Sequence, residues 1–221
     1  MSASSNFDLI VFDWDGTLFD STTLIVRCIQ CACRDVGTRV PSDAEAAYVI
    51  GLGLRDALLH AAPEWPPARH AELGERYRQH YVASQHELAL FPGTLPMLQA
   101  LRGRGRHRLA IATGKTRRGL DAALDTSKLR ALFDASRTAD ETASKPHPRM
   151  LLELMGEFGV RPQRTLMIGD TTHDLQLAAN AGAASLAVSY GAHERDAFGD
   201  FEPLAVAHST AELHDWLACH A

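Results

Sequence analysis

The sequence predicts an α/β fold in which a parallel sheet carries an inserted, all-helical unit. Three strand-length runs rich in Ile, Leu and Val each end on a polar residue, at 7–13, 108–113 and 165–170. Such runs are apolar on both faces, which is typical of buried strands in a parallel sheet. Helix-like stretches separate them, and this alternation predicts crossover connections and an open sheet.

The remaining elements of the sheet domain follow in chain order from their apolar periodicity. Helices are expected at 94–102, 116–124, 146–158 and 172–181. Two more strands are expected at 184–189 and 204–207, and a closing helix at 211–218.

Residues 20–90 interrupt the alternation of strands and helices. Helices are predicted there at 22–36, 43–48, 54–61 and 68–88, and no convincing strand is recognised. The interval is too long for a loop in a compact domain, so we expect an inserted helical unit. Pro92 and Gly93 mark the return of the chain. The predicted domains are therefore 1–19 with 91–221 for the sheet, and 20–90 for the helical unit.

Composition and charge favour a cytoplasmic protein that acts on small molecules. The net charge of −5 favours neither a nucleic acid nor an anionic membrane as a partner. Residues 1–6 lack the segments of a signal peptide, and no apolar stretch approaches the ~20 residues that span a bilayer. Three of the four cysteines lie close together without a second Cys or His pair for zinc, which predicts buried free thiols. We expect a monomer or a homodimer.

Polar residues end the predicted strands, and Asp13, Thr113 and Asp170 should meet at the carboxyl edge of the sheet, where ligands of open sheets bind. Asp13 and Asp15 are separated by one residue and precede Gly16. Two close carboxylates at a strand end are best tolerated around a cation or in proton transfer. A surface turn is the alternative reading, because Asp and Gly are common turn residues.

Four motifs occur in order along the chain: residues 13–17 (DWDGT), Thr113-Gly114, Lys145-Pro146, and residues 169–174 (GDTTHD). Together they resemble the haloacid dehalogenase superfamily over essentially the whole chain. The resemblance implies a Rossmann-like parallel-sheet core, with residues 20–90 as the superfamily's helical cap.

The resemblance also implies a phosphoryl-transfer mechanism. Asp13 corresponds to the nucleophile that forms an aspartyl-phosphate, and Asp15 to the general acid and base. Lys145 would pair with Asp13 and the phosphoryl group. Thr113 and the backbone amide of Gly114 would bind the phosphoryl oxygens.

A magnesium site belongs to the same implied mechanism. Its ligands would be the carboxylates of Asp13 and Asp170 and the backbone carbonyl of Asp15, a set of oxygens that suits Mg²⁺ better than zinc. Asp174 lies four residues after Asp170. It is either a metal-site residue or an acid favoured by the start of a helix, and the sequence leaves both open.

Two features favour hydrolysis of a phosphate monoester over other reactions of the superfamily. Dehalogenases need no acid at the position of Asp15, and phosphonatases need a cap lysine, whereas residues 20–90 contain no lysine. The expected enzyme is a magnesium-dependent phosphatase acting on a small phosphorylated metabolite of the phosphoglycolate type. A phosphomutase of the β-phosphoglucomutase type remains an alternative, as does a nucleotidase or pyrophosphatase of the same family.

Three residues near the motifs have open roles. Arg55 either pairs with a substrate carboxylate or is an exposed helix residue. Lys115 follows the second motif, and a solvated position at a helix start is favoured over a secondary phosphate contact. His173 is expected to face solvent in the first turn of its helix.

Overall fold

The computed structural model describes residues 7–221. The segment 1–6, on which the expectation of no signal peptide rests, lies outside the described residues. Eight strands are described: β1 (Leu9–Phe12), β2 (Phe19–Asp20), β3 (Ala89–Leu90), β4 (Arg108–Thr113), β5 (Ala135–Thr138), β6 (Thr165–Gly169), β7 (Ala184–Val188) and β8 (Val206–Ala207).

Among residues 7–221, single α-helices separate successive strands from β3 to β7, four α-helices follow one another between β2 and β3, and one follows β8. These helices are α1 (Thr22–Val36), α2 (Asp43–Tyr48), α3 (Leu54–Ala61), α4 (His70–Ser84), α5 (Thr94–Arg104), α6 (Arg117–Ser127), α7 (Arg149–Phe158), α8 (Thr172–Ala181) and α9 (Thr210–His220). None of the helices in 7–221 is long and apolar enough to cross a membrane.

Six strands form one parallel sheet in the order β5-β4-β1-β6-β7-β8. Phe12 at the end of β1 pairs with Ile111 on one side and Ile168 on the other. Asp13, which follows β1, therefore lies beside the ends of β4 and β6 at one edge of the sheet. The carboxyl ends of parallel strands meet at this edge.

The two faces of the sheet are covered by different helices. Alternate residues such as Ile10 and Phe12 pack with side chains of α5, α6 and α9. Leu9 and Val11, which point the other way, pack with α7 and α8. This two-sided burial explains why the central strand β1 is apolar throughout. The predicted α/β core is confirmed.

The helices α1 to α4 have a hydrophobic cluster of their own, which includes Ile29, Leu58, Trp65 and Leu73. The cysteines of α1 are free thiols, and Cys28 and Cys33 are buried. A capping box at Ser42 and Glu45 begins α2. In it the side chains bond to the backbone N–H groups that the first turn leaves without partners.

The elements differ from the sequence predictions in three places. The antiparallel ribbon of β2 and β3 adds strand residues at both ends of the interval 20–90. The helix expected at 68–88 is shorter, because 3-10 turns at Pro67–Arg69 and Gln85–Glu87 flank α4. Strand β5 was not predicted, because its sequence Ala-Ser-Arg-Thr is polar, as suits a strand at the edge of the sheet.

Candidate active site

Asp13 follows β1 at the carboxyl edge of the sheet, and only 1% of it is exposed. Its Oδ1 accepts hydrogen bonds from the backbone N–H of Trp14 at 2.6 Å and from Lys145 Nζ at 2.8 Å. Its Oδ2 is buried and has no hydrogen-bond partner among the described residues. A buried carboxylate oxygen without a partner is costly, so this atom is the one left for a ligand or for chemistry.

Lys145 is fully buried and lies between two carboxylates. Its Nζ is 2.8 Å from Asp13 Oδ1 and 2.6 Å from Asp174 Oδ1. Burial alone would lower the pKa of Lys145, but the two carboxylates raise it above its usual range. The side chain is therefore a fixed positive charge beside Asp13.

Asp170 follows β6 and is held by both of its oxygens. The hydroxyl of Thr17 donates to Oδ1 at 2.8 Å, and the backbone N–H of Ala192 donates to Oδ2 at 2.7 Å. Gly16 has a positive φ of +80°, and a Cβ there would lie 2.6 Å from Asp170 Cγ. Only glycine allows this turn to approach Asp170 so closely.

Asp174 has the helix-start role, one of the two that the sequence left open, and its side chain also reaches Lys145. It is the third residue of α8, and its Oδ2 accepts from the backbone N–H and the hydroxyl of Thr171, the N-cap, at 3.1 and 2.7 Å. Its Oδ1 accepts from Lys145. Asp174 therefore caps its helix and also fixes the lysine beside Asp13.

The carboxylates of Asp13, Asp170 and Asp174 offer ligand atoms that lie within 4.8 Å of one another. Burial and the neighbouring carboxylates raise the pKa of Asp13 well above its usual range and that of Asp170 to about 7. One lysine is too little positive charge for three buried carboxylates. Asp13 Oδ2 has no hydrogen-bond partner among the described residues, and every ligand atom that the group offers is an oxygen. The group therefore fits Mg²⁺. The carboxylate of Asp15 is outside the group, as expected if Asp15 contributes its backbone carbonyl.

Asp15 lies where the sheet meets the helical cap. Its Oδ1 accepts from the hydroxyl of Ser21, the N-cap of α1, at 2.7 Å. Its Oδ2 is 2.9 Å from Lys115 Nζ. The side chain of Lys115 is only 10% exposed, so the expectation of a solvated lysine is wrong. The motif pattern contained no signal for the Asp15–Lys115 ion pair, because the sequence does not show which carboxylate the lysine reaches.

Thr113 and Gly114 end β4 beside this site. Thr113 is buried, and its Oγ1 accepts from the backbone N–H of Lys115 at 3.3 Å, which leaves the hydroxyl able to donate to a ligand. A Cβ at Gly114 would lie 2.6 Å from the carbonyl oxygen of Gly51 and closer still to that of Leu52. The backbone of the helical cap therefore lies directly against the second motif.

The cap loop, residues 51–53, lies between α2 and α3 and approaches all four motif regions. A Cβ at Gly51 would lie 3.1 Å from Thr171 Oγ1 and 3.9 Å from Asp13 Oδ2. Gly53 donates its backbone N–H to Ser144 Oγ at 2.8 Å, next to Lys145. The cap loop therefore lies over Asp13.

His173 is 7% exposed, so the expectation that it faces solvent is wrong. Its Nε2 donates to the backbone carbonyl of Tyr48 at 2.7 Å, and His193 Nε2 donates to the same oxygen at 3.0 Å. His193 Nδ1 accepts from the backbone N–H of Thr172, which fixes its tautomer. Both histidines tie the last residue of α2 to the start of α8. His193 lies outside every motif and gave no sequence signal.

Arg55 is exposed in the first turn of α3, just after the cap loop. The described residues provide no ion pair for it. The predicted contact with a substrate carboxylate stays a prediction.

The family model for haloacid dehalogenase-like hydrolases matches residues 10–188, a span that contains all four motifs. The chain therefore belongs to the haloacid dehalogenase-like hydrolase family. The resemblance inferred from the motifs is confirmed.

Curated relatives extend over nearly the whole chain. A probable phosphatase, IndB, of Dickeya dadantii is 34% identical over 93% of this chain and 91% of its own length. A phosphoglycolate phosphatase of Aliivibrio fischeri is 31% identical over 90% and 91%. A pyrophosphatase, PpaX, of Halalkalibacterium halodurans is 29% identical over 93% and 94%. The prediction of a phosphatase enzyme is confirmed by these relatives.

A solved structure shares the complete fold. The crystal structure of a predicted phosphoglycolate phosphatase from Haemophilus somnus superposes with a TM-score of 0.84 at 24% identity and covers 97% of this chain and 99% of the other. The Rossmann-like class of the core is thereby confirmed.

Proposed function

We propose that this phosphatase hydrolyses a small phosphate monoester in two steps through an aspartyl-phosphate on Asp13. The observation that supports this most strongly is the buried Asp13 carboxylate, whose Oδ1 is fixed by Lys145 and Trp14 while its Oδ2 has no partner within residues 7–221. A nucleophile needs one oriented but unoccupied atom, and Oδ2 meets that need.

In the first step, Asp13 Oδ2 attacks phosphorus and the bond from phosphorus to the ester oxygen breaks. Protonated Asp15 gives its proton to the departing oxygen, so that the alcohol leaves neutral. Lys145 supplies a fixed positive charge on the phosphoryl side, and Thr113 and the Gly114 amide supply hydrogen-bond donors for the phosphoryl oxygens.

In the second step, Asp15 as a carboxylate takes a proton from water. The oxygen of that water attacks phosphorus, and the bond from phosphorus to Asp13 breaks. Inorganic phosphate and the free Asp13 carboxylate result, and Asp15 carries the proton for the next cycle. The cap loop over Asp13 excludes other water while the phosphoenzyme exists.

Magnesium would be held by Asp13 and Asp170, with the backbone carbonyl of Asp15. Bound there, it would offset the negative charge that accumulates between the carboxylates and the phosphoryl group. Because both Asp174 oxygens already accept hydrogen bonds, we assign Asp174 to positioning Lys145 rather than to direct ligation.

The substrate we propose is a small phosphorylated metabolite of the phosphoglycolate type. The relatives named phosphoglycolate phosphatase and pyrophosphatase support this class, because both names denote a phosphoryl group attached to a small anionic leaving group. Arg55, exposed two residues after the cap loop, is a candidate partner for the anionic group of that leaving group. The acid and base role of Asp15 also favours a leaving group that needs protonation.

A panel assay of phosphate release tests this function. Phosphoglycolate, pyrophosphate, sugar phosphates and nucleotides are supplied with Mg²⁺, with and without excess chelator, to the parent and to Asp13→Asn. We expect release that requires both Mg²⁺ and Asp13. Phosphate release in excess chelator, or by Asp13→Asn, would refute the proposal. Isomerisation of a sugar phosphate without release of phosphate would indicate a mutase instead.

A further inference from the structure

Two of the three lysines in the chain lie in the site, and each is paired with a different catalytic carboxylate. Lys145 is at Asp13, the side to which the phosphoryl group is transferred. Lys115 is at Asp15, the side on which the alcohol leaves. The positive charge of Lys115 therefore lies on the side of the leaving group rather than on the side of the phosphoryl group.

Lys115 is held from the cap as well as from the core. Its Nζ donates to the hydroxyl of Tyr81 on α4 at 2.9 Å and lies 4.8 Å from the centroid of that ring. Tyr77, one turn earlier, stacks on Tyr81 at 5.9 Å. Burial would lower the pKa of Lys115, but Asp15 and Tyr81 raise it above its usual range. The Lys115 ammonium therefore stays charged while it packs on the ring of Tyr81, because the face of an aromatic ring attracts a cation.

The hydrogen bonds of Asp15 conflict with its role as the acid. Oδ1 accepts from Ser21 and Oδ2 accepts from Lys115. A hydroxyl can turn and accept, but an ammonium group only donates. Oδ2 can therefore give a proton to the leaving group only if Lys115 moves away from it. A buried ammonium without a counter-charge is costly, so the exchange needs another anion in place of Asp15.

We propose that Lys115 binds the second anionic group of the substrate, a carboxylate or a further phosphate on the leaving group, and by doing so releases Asp15 to act as the acid. This proposal rests on the proposed phosphatase function and specifies its substrate class. A substrate with a neutral leaving group leaves Lys115 on Asp15 and is protonated poorly. Lys115 then couples selectivity for an anionic leaving group to acid catalysis by Asp15.

The test compares two esters of similar size: 2-phosphoglycolate, which carries a carboxylate, and 2-hydroxyethyl phosphate, which carries a hydroxyl. The readout is the ratio of their kcat/KM values in the parent and in Lys115→Met. Truncating one partner of a buried charge pair commonly changes affinity by on the order of 10²-fold. We expect the ratio to favour phosphoglycolate in the parent and to fall about 10²-fold in Lys115→Met.

Two further variants complete the design. Lys128→Met removes the remaining lysine, which is exposed at the end of α6, and should leave the ratio unchanged. Arg55→Met removes the other cation near the site. If Lys115→Met does not fold, Lys115→Gln, which keeps the aliphatic stem, gives the same comparison.

The outcomes separate this proposal from the proposed function. Equal losses of kcat/KM on both esters in Lys115→Met would show that Lys115 only stabilises the structure, and would overturn the proposal. A ratio that collapses in Arg55→Met but persists in Lys115→Met would overturn it in favour of Arg55. Failure of the parent to release phosphate from either ester, or from p-nitrophenyl phosphate with Mg²⁺, would instead reject the proposed function.

Discussion

Gly114→Ala tests whether the cap loop has to close against the second motif for activity. The substitution keeps the backbone amide that is proposed to bind phosphate, and Gly114 is not among the positive-φ glycines. Alanine is therefore compatible with the local backbone. The only new feature is a methyl group that points at the backbone of the cap loop.

The size of the effect follows from the geometry. The new Cβ would lie 2.6 Å from the carbonyl oxygen of Gly51, whereas ordinary contact begins at 3.4 Å, so the loop has to retreat by at least about 0.8 Å. The oxygen of Leu52 is closer still. A backbone carbonyl cannot rotate away as a side chain can. Misplacement by ~1 Å can cost ~10²-fold in rate, which is about 2.7 kcal/mol.

The assay measures kcat/KM for phosphate release together with the thermal midpoint. We expect Gly114→Ala to lose ~10²-fold in kcat/KM while it remains folded. Gly156→Ala is the matched control, because a Cβ there has nothing within 4 Å and Gly156 lies in α7. It should keep full activity and gain about 0.5–1 kcal/mol of stability. Activity of Gly114→Ala within about twofold of the parent would refute the close docking of the cap loop.

Three further predictions concern the carboxylates. Asp13→Asn should have no measurable turnover but a native circular dichroism spectrum, and residual activity above the assay background would contradict its role. Asp15→Asn should lose more activity with alkyl phosphates than with p-nitrophenyl phosphate, because only the poor leaving group needs the acid; equal losses would argue against acid catalysis. Magnesium should raise the melting temperature more at about pH 8 than at about pH 6. The pKa of Asp170 is raised to about 7 without metal, so at the lower pH the cation has to displace a proton. A shift of equal size at both pH values would count against Asp170 as a ligand.

The polar residues at the carboxyl edge of the sheet could be predicted from the sequence for a physical reason. Parallel strands buried on both faces have to be apolar, and the polar residue that ends each one stands out. Asp13, Thr113 and Asp170 were placed in this way, and the structure brings their strands together. The edge strand β5 has one less neighbour to pack against and a polar sequence, so the same rule missed it.

The contacts between cap and core could not be predicted from local patterns. Lys115 was expected in solvent, but Tyr81, 34 residues away in the chain, covers it. His173 is buried only because the end of α2 lies over the start of α8. Burial of a polar side chain depends on which distant segment covers it, and neither apolar periodicity nor motif spacing contains that information.

The covalent intermediate on Asp13 is the central claim, and trapping it is the most direct test. The enzyme is mixed with Mg²⁺ and excess phosphoglycolate, quenched in acid within one turnover, and digested for mass spectrometry. We expect one added phosphoryl group on the peptide that contains Asp13, and none in Asp13→Asn. A phosphoryl group on another residue, or catalytic turnover without any phosphorylated peptide, would contradict it.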